Sequence, residues 1–257
     1  MAAIGHTPEN LSPFYPFSTM RLLRALLIAA LFATSFVARA ADTFPVRSVA
    51  LVPAADPIEY TLTSRTAAVF IFPIASAGAW ADSRDKTRAF TALTKSRQPA
   101  YGAYLSKLVA DRLRAAGYQV RLIEPEHRDP ADPDGVDLEA LVFDEDIGMQ
   151  LQFDTMGFFS DMGTMGFAPK VNVDAHSFLR SGAENPFSTT IYYGVDARPN
   201  KDWAIMAPDT ANIPSFEVLM GEPERVDAVY RDALNLLAER IATQFMASSP
   251  LKAAAAP

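Results

Sequence analysis

Val226, Val229, Tyr230, Ala233, Leu234, Leu237, Ile241 and Phe245 recur at three- and four-residue spacing. That spacing draws one apolar stripe along a helix of about five turns. A stripe this long has to be covered, so the rest of the chain must supply an apolar surface of matching length. Pro223 and Glu224 suit the first turn, and Ser248-Ser249-Pro250 ends the helix. The Ala-rich tail, residues 247–257, is expected to fray.

Runs of alternating residues predict that surface. Val49–Val52 and Ala68–Phe72 read as short buried strands, the second closed by Pro73. Residues 75–98 read as a long connection with helical character around Arg84–Leu93. After Pro99, Tyr101, Tyr104, Leu105, Leu108, Val109 and Leu113 share one helical face, and Gly117 suits its left-handed stop. Tyr118, Val120 and Leu122 alternate with Gln119 and Arg121, as a strand with one wet face does. Residues 124–137 form a Pro- and Asp-rich loop. Met149, Leu151 and Phe153, then 171–179 and 189–195, predict further strands, and 196–215 looks irregular. The pattern predicts an α+β fold: a mostly antiparallel sheet with helices packed on one face and a closing C-terminal helix.

The start of the chain points to export. Met20–Arg24 is basic, Ala25–Val37 is apolar, and Ala38-Arg39-Ala40 places small residues at a cleavage site. The apolar run is about 13 residues long, short of the roughly 20 that span a bilayer. Residues 20–40 are therefore read as a signal peptide and residues 1–19 as a leader upstream of it. Residues 41–257 then form one domain, periplasmic or secreted, with no transmembrane span once the signal is removed.

Several chemistries lack their residues. The net charge of −7 and the absence of a Lys/Arg run argue against nucleic acid as a partner. No cysteine is present, which removes disulfides, thiolate ligands and a cysteine nucleophile. His127 lies in a charged loop and His176 on a strand, each without neighbouring ligands, so no metal is expected. No nucleophile elbow, phosphate loop or dinucleotide fingerprint occurs, and no cofactor is expected. Carboxylates are plentiful. Asp144, Glu145 and Asp146 are the densest cluster beside apolar residues, readable as a solvated turn, a cation site or an acid–base pair. On a strand, Asp144 and Asp146 would share a face.

Thr155–Phe167 is the least regular segment, with Thr-Met-Gly-Phe occurring twice. Its glycines interrupt any period, while Met156, Phe158, Phe159, Met162, Met165 and Phe167 remain apolar. Two readings stand. The segment folds back onto the core, or these six residues form an adaptable contact surface for a partner.

The helix ending in Ala115-Ala116-Gly117-Tyr118-Gln119-Val120, then a run of strands, then a closing helix, resembles small periplasmic domains of bacterial envelope assembly. Curli-secretion lipoproteins, lipoprotein activators of peptidoglycan synthases and the N-terminal domain of the Tol-system propeller protein share this layout. The chain departs from the lipoprotein members in lacking the acylated cysteine. The resemblance implies a binding or assembly role. The expected function is thus an exported, non-enzymatic envelope protein that binds a protein partner or an apolar ligand. The alternative is a carboxylate-based hydrolase acting on envelope polysaccharide, with Trp80 or Trp203 lining its cleft. A self-associating part of a secretion or surface-polymer assembly is a third reading.

Overall fold

In a computed structural model the described residues are 45–64, 73–124, 135–136, 141–160, 166–179 and 187–251, with the side chains of Ser64 and 73–82 left aside. The signal segment, the expected strand at 68–72 and most of the 124–137 loop lie outside them. Asp42–Pro257 is one compact unit. No helix among the described residues is long and apolar enough to cross a membrane.

The strands are β1 (Ser48–Val52), β2 (Thr61–Ser64), β3 (Gln119–Leu122), β4 (Ile147–Ser160), β5 (Ala168–Phe178), β6 (Ser188–Gly194) and β7 (Ala204–Ile205). The helices are α1 (Pro73–Ser96), α2 (Tyr101–Ala115), α3 (Phe216–Gly221) and α4 (Pro223–Ser248). The strands form one seven-stranded sheet in the order β3-β1-β4-β5-β6-β7, with β2 also paired to β4. The α+β class and the closing helix are as expected. The sheet is mixed: its two longest ladders, β4–β5 and β5–β6, are antiparallel, and its four short ones are parallel.

Register assigns the two faces. Val49, Leu51, Ile147, Met149, Leu151, Val173 and Ile191 all point inward and are fully or almost fully buried. The α4 stripe, from Val226 to Phe245, closes over that face together with α2. Gly117 ends α2 with φ +98°, the left-handed conformation that the expected stop needs. Its amide donates to Arg114 O at 2.9 Å and the Tyr118 amide to Leu113 O at 3.1 Å, which satisfies two end carbonyls.

Helix α1 differs from expectation. It runs 24 residues, through most of what reads as a connection, and it binds β2 through hydroxyls. The Thr91 hydroxyl accepts from Tyr60 N–H (3.0 Å) and donates to Tyr60 C=O (3.3 Å). Thr87 does the same at Leu62 (3.2 and 2.9 Å), and Ser83 donates to Leu62 C=O (3.2 Å). Four helical residues rise about 6 Å and two strand residues about 6.6 Å, so Thr87 and Thr91 match Leu62 and Tyr60, while Ser83 adds a second bond at Leu62. The ladder satisfies the edge of β2 in place of another strand.

The tail is tied down as far as Leu251. Val46 N–H donates to Pro250 C=O (3.0 Å), and the Tyr118 hydroxyl to Ser249 C=O (2.7 Å). Ser249 and Pro250 are thus held by hydrogen bonds from Tyr118, ahead of β3, and from Val46, ahead of β1; residues 252–257 lie outside the described residues.

Candidate functional site

The described part of the irregular segment is mainly strand. Thr155–Ser160 is the second half of β4, and strand alternation sends Met156 and Phe158 to the core face, each 1% exposed. Phe158 packs against Phe90 and Tyr230, with ring centroids 6.0 and 5.2 Å away. Gly157 is required by a neighbour, since a Cβ there would lie 1.9 Å from Thr61 O. Phe167 is buried and pairs with Ile213 through both backbone bonds, 2.6 and 2.9 Å. Phe159 points to the opposite face and is half-buried. Met162 and Met165 lie outside the described residues. Met156, Phe158 and Phe167 therefore belong to the core, and the expected six-residue contact surface does not exist as one exposed patch.

The acidic cluster is also built into the framework. Asp144, Glu145 and Asp146 precede β4, so the expected sharing of a strand face does not occur. Asp146 Oδ2 accepts from Arg47 N (2.8 Å), Ser48 N (2.9 Å) and Ser48 Oγ (3.2 Å), anchoring the start of β1. Glu145 takes a two-pronged bond from Arg121, at 2.5 and 2.8 Å. That bond outweighs partial burial and holds the Glu145 carboxyl below its ordinary value.

The side of the sheet turned away from α2 and α4 carries a different constellation, in which Gln150 is buried and the outer positions of β6 are part-exposed. With α2 and α4 on one face, the outward positions of β4, β5 and β6 form cross-strand rows. Gln150, His176 and Ser188 make one, Gln152, Asp174 and Thr190 the next, and Thr155, Asn172 and Tyr192 the third. Thr190 Oγ1 donates to Asp174 Oδ1 (2.5 Å), and His176 Nδ1 lies 2.8 Å from Ser188 Oγ. Asn172, 2% exposed, donates through Nδ2 to Asp196 Oδ2 (2.8 Å) and Asp154 Oδ2 (3.3 Å). Its Oδ1 is buried without a hydrogen-bond partner. Lys170 pairs with Asp196 at 3.0 Å. Trp203 meets Tyr192 edge-on, centroids 5.2 Å apart, at the rim of the rows. The side chain of Trp80 and the whole of His127 lie outside the described residues.

Two arrangements in these rows have residue types found in catalytic sites. His176 and Ser188 have no carboxylate on the far ring nitrogen among the described residues, so the orienting third member of a triad is missing. Asp154 and Asp196 both reach one amide nitrogen, so their bonded oxygens lie no more than about 6 Å apart, close to the separation in a retaining glycosidase. Burial pushes the Asp196 carboxyl up, but Asn172, Lys170 and Arg198 together hold it below the ordinary value, as an anion. Asp154 is exposed, whereas the acid of such a pair needs a site that excludes water. Among the described residues no three His, Asp or Glu side chains converge. Sequence reading missed these rows because each strand contributes only isolated polar residues.

No family model and no curated protein matches the chain. Among solved structures, a Xanthomonas campestris protein of the family model DUF330 is similar over 80% of this chain and 88% of its own, with 12% identity and a TM-score of 0.36. A lipoprotein of Neisseria meningitidis is similar over 60% and 88%, with 17% identity and a TM-score of 0.28. At these scores the likeness assigns neither a family nor a function.

Proposed function

We propose that this chain is an exported, non-enzymatic protein of the cell envelope that binds a partner protein through the open face of its sheet. The supporting observation is the asymmetry of the two faces: one is sealed by α2 and α4, while the other carries hydrogen-bonding rows over β4–β6 that are buried at Gln150 and Asn172 but reach solvent at Gln152, Asp174, His176, Ser188 and Thr190, beside Tyr192 and Trp203. Such a face offers donors and acceptors held rigid by the ladder, with aromatic contact area at its rim. Export rests on residues 20–40 and on Ala41 as the first residue of the mature chain; N-terminal sequencing of protein from the envelope tests it. The binding role is tested by pull-down from envelope extract with Gln152→Arg, which keeps Asp174 and its bond to Thr190. The variant should melt like the parent and lose the captured partner. Retention of the same partner would end the proposal.

The hydrolase reading draws on the Asp154–Asn172–Asp196 arrangement alone. Release of reducing ends from envelope polysaccharide, abolished by Asp154→Asn and by Asp196→Asn, would establish it in place of binding.

A further inference from the structure

The sheet treats its edges unequally. On β3, the Arg114 guanidinium donates to Val120 C=O at 2.9 and 3.3 Å, which plugs the middle of that edge. On β2, the hydroxyls of α1 occupy the edge. On β6, the neighbour β7 pairs only at Tyr192 and Tyr193. Tyr192 N–H donates to Trp203 C=O at 2.9 Å, so it points away from β5. Backbone groups alternate along a strand, and those of Thr190 and Ser188 therefore point the same way as those of Tyr192. Among the described residues no backbone or side-chain group takes them up.

This bare stretch opens on a cavity of about 480 Å³ lined by Thr189, Thr190, Tyr192, Asp196, Arg198 and Trp203. Ser188, Thr189 and Thr190 carry no charge that would repel an incoming strand. Arg198 is exposed, and its side chain makes no hydrogen bond or ion pair among the described residues. The carboxylate nearest in sequence, Asp196, is already bonded to Asn172 and Lys170. The fold also contains a precedent: one edge of β4 carries β1 and β2 in tandem, as two short strands on one long one.

We propose that the edge of β6 at Ser188–Thr190 is a docking edge for an extended segment of a partner protein. The segment adds as a strand in line with β7, and one of its acidic side chains meets Arg198. This rests on the binding role above and adds to the contact with the face a second one along the edge of β6, where that face ends. Backbone hydrogen bonds to Thr190 supply the register. The Tyr192 and Trp203 rings close one end of the groove, and the exposed Arg198 guanidinium, which acts on Asp196 without a hydrogen bond to it, selects the charge.

The test selects a random linear peptide library on the whole chain. The enriched peptides should be uncharged and extended apart from one Asp or Glu. When bound, they should slow hydrogen exchange at the amides of Ser188 and Thr190. Arg198→Glu should weaken them by about tenfold or more, and N-methylation of alternate peptide amides should abolish binding. Thr190→Pro removes the donor from the protein side; if that variant fails to melt like the parent, the N-methylated peptides carry the test. No enrichment, or peptides indifferent to both Arg198→Glu and N-methylation, would overturn the proposal. Peptides that protect the His176 and Asp174 rows instead would overturn the edge while leaving the binding role intact.

Discussion

Phe158 and Tyr230 meet in the centre of the core with ring centroids 5.2 Å apart, and the Tyr230 hydroxyl is buried there without a hydrogen-bond partner. Around them Tyr60, Phe90 and Tyr101 complete a cluster that joins β4, α1, α2 and α4. Burial holds the Tyr230 hydroxyl neutral, raising its pKa far above the ordinary phenol value. A residue of the most irregular segment thus stands at the junction of four elements.

Phe158→Ala should therefore cost about 3–5 kcal/mol in stability, the usual range for truncating a fully buried phenylalanine. Chemical denaturation of parent and variant measures it. A loss below about 1 kcal/mol would mean that the cluster does not carry the packing described.

Gly157→Ala introduces one methyl where Thr61 O would lie 1.9 Å from it. Either β2 moves off β4 or the backbone bends, and overpacking of this kind costs typically about 1–3 kcal/mol. The Thr61 and Leu62 amides should exchange faster in the variant. Unchanged exchange and melting would show that β2 does not sit against Gly157.

Thr87→Val keeps the shape of the side chain and removes the hydroxyl that serves both backbone groups of Leu62. Leu62 and Thr87 are both buried, so the stranded N–H should cost about 1–3 kcal/mol. Ser83 still serves the Leu62 carbonyl. Thr87→Ser, which retains the hydroxyl, should recover most of the loss. Equal melting of the Val and Ser variants would remove the hydroxyl ladder as the reason α1 stays on the edge.

The Arg121–Glu145 pair makes stability depend on pH in a stated direction. The folded-state pKa of Glu145 is depressed, with the Arg121 hydrogen bond the largest cause. Its contribution is fully present above the unfolded value of roughly 4.3 and is lost as pH falls through the folded value. Arg121 is half exposed, so solvent screens the pair and the effect is modest. Glu145→Gln should flatten the acid limb of a melting-temperature profile below about pH 4.3 while leaving its slope near neutrality unchanged. An identical acid limb in both proteins would remove the pair from the account.

What residue spacing determined is what depends on one element at a time. The α4 stripe, the α2 face with its Gly117 stop, and the alternations in β4, β5 and β6 are periodic burial patterns, and each element carries its own. They sufficed for the α+β class. Helix α1 was legible only around Arg84–Leu93, because its contact with the sheet runs through the hydroxyls of Ser83, Thr87 and Thr91 and the single large apolar anchor Phe90, and not through a repeating apolar stripe. Hydroxyls at that spacing acquire meaning once β2 offers them an edge. The Met/Phe segment left two readings open, core or contact surface, because Gly157 breaks the pattern; the reason for that glycine, the Thr61 carbonyl, lies 96 positions earlier in the chain. The open face and the bare edge of β6 were decided by tertiary structure alone. Which face the helices cover and which backbone groups stay unpaired depend on strand order and register, and these are set by long-range pairings that no local spacing encodes.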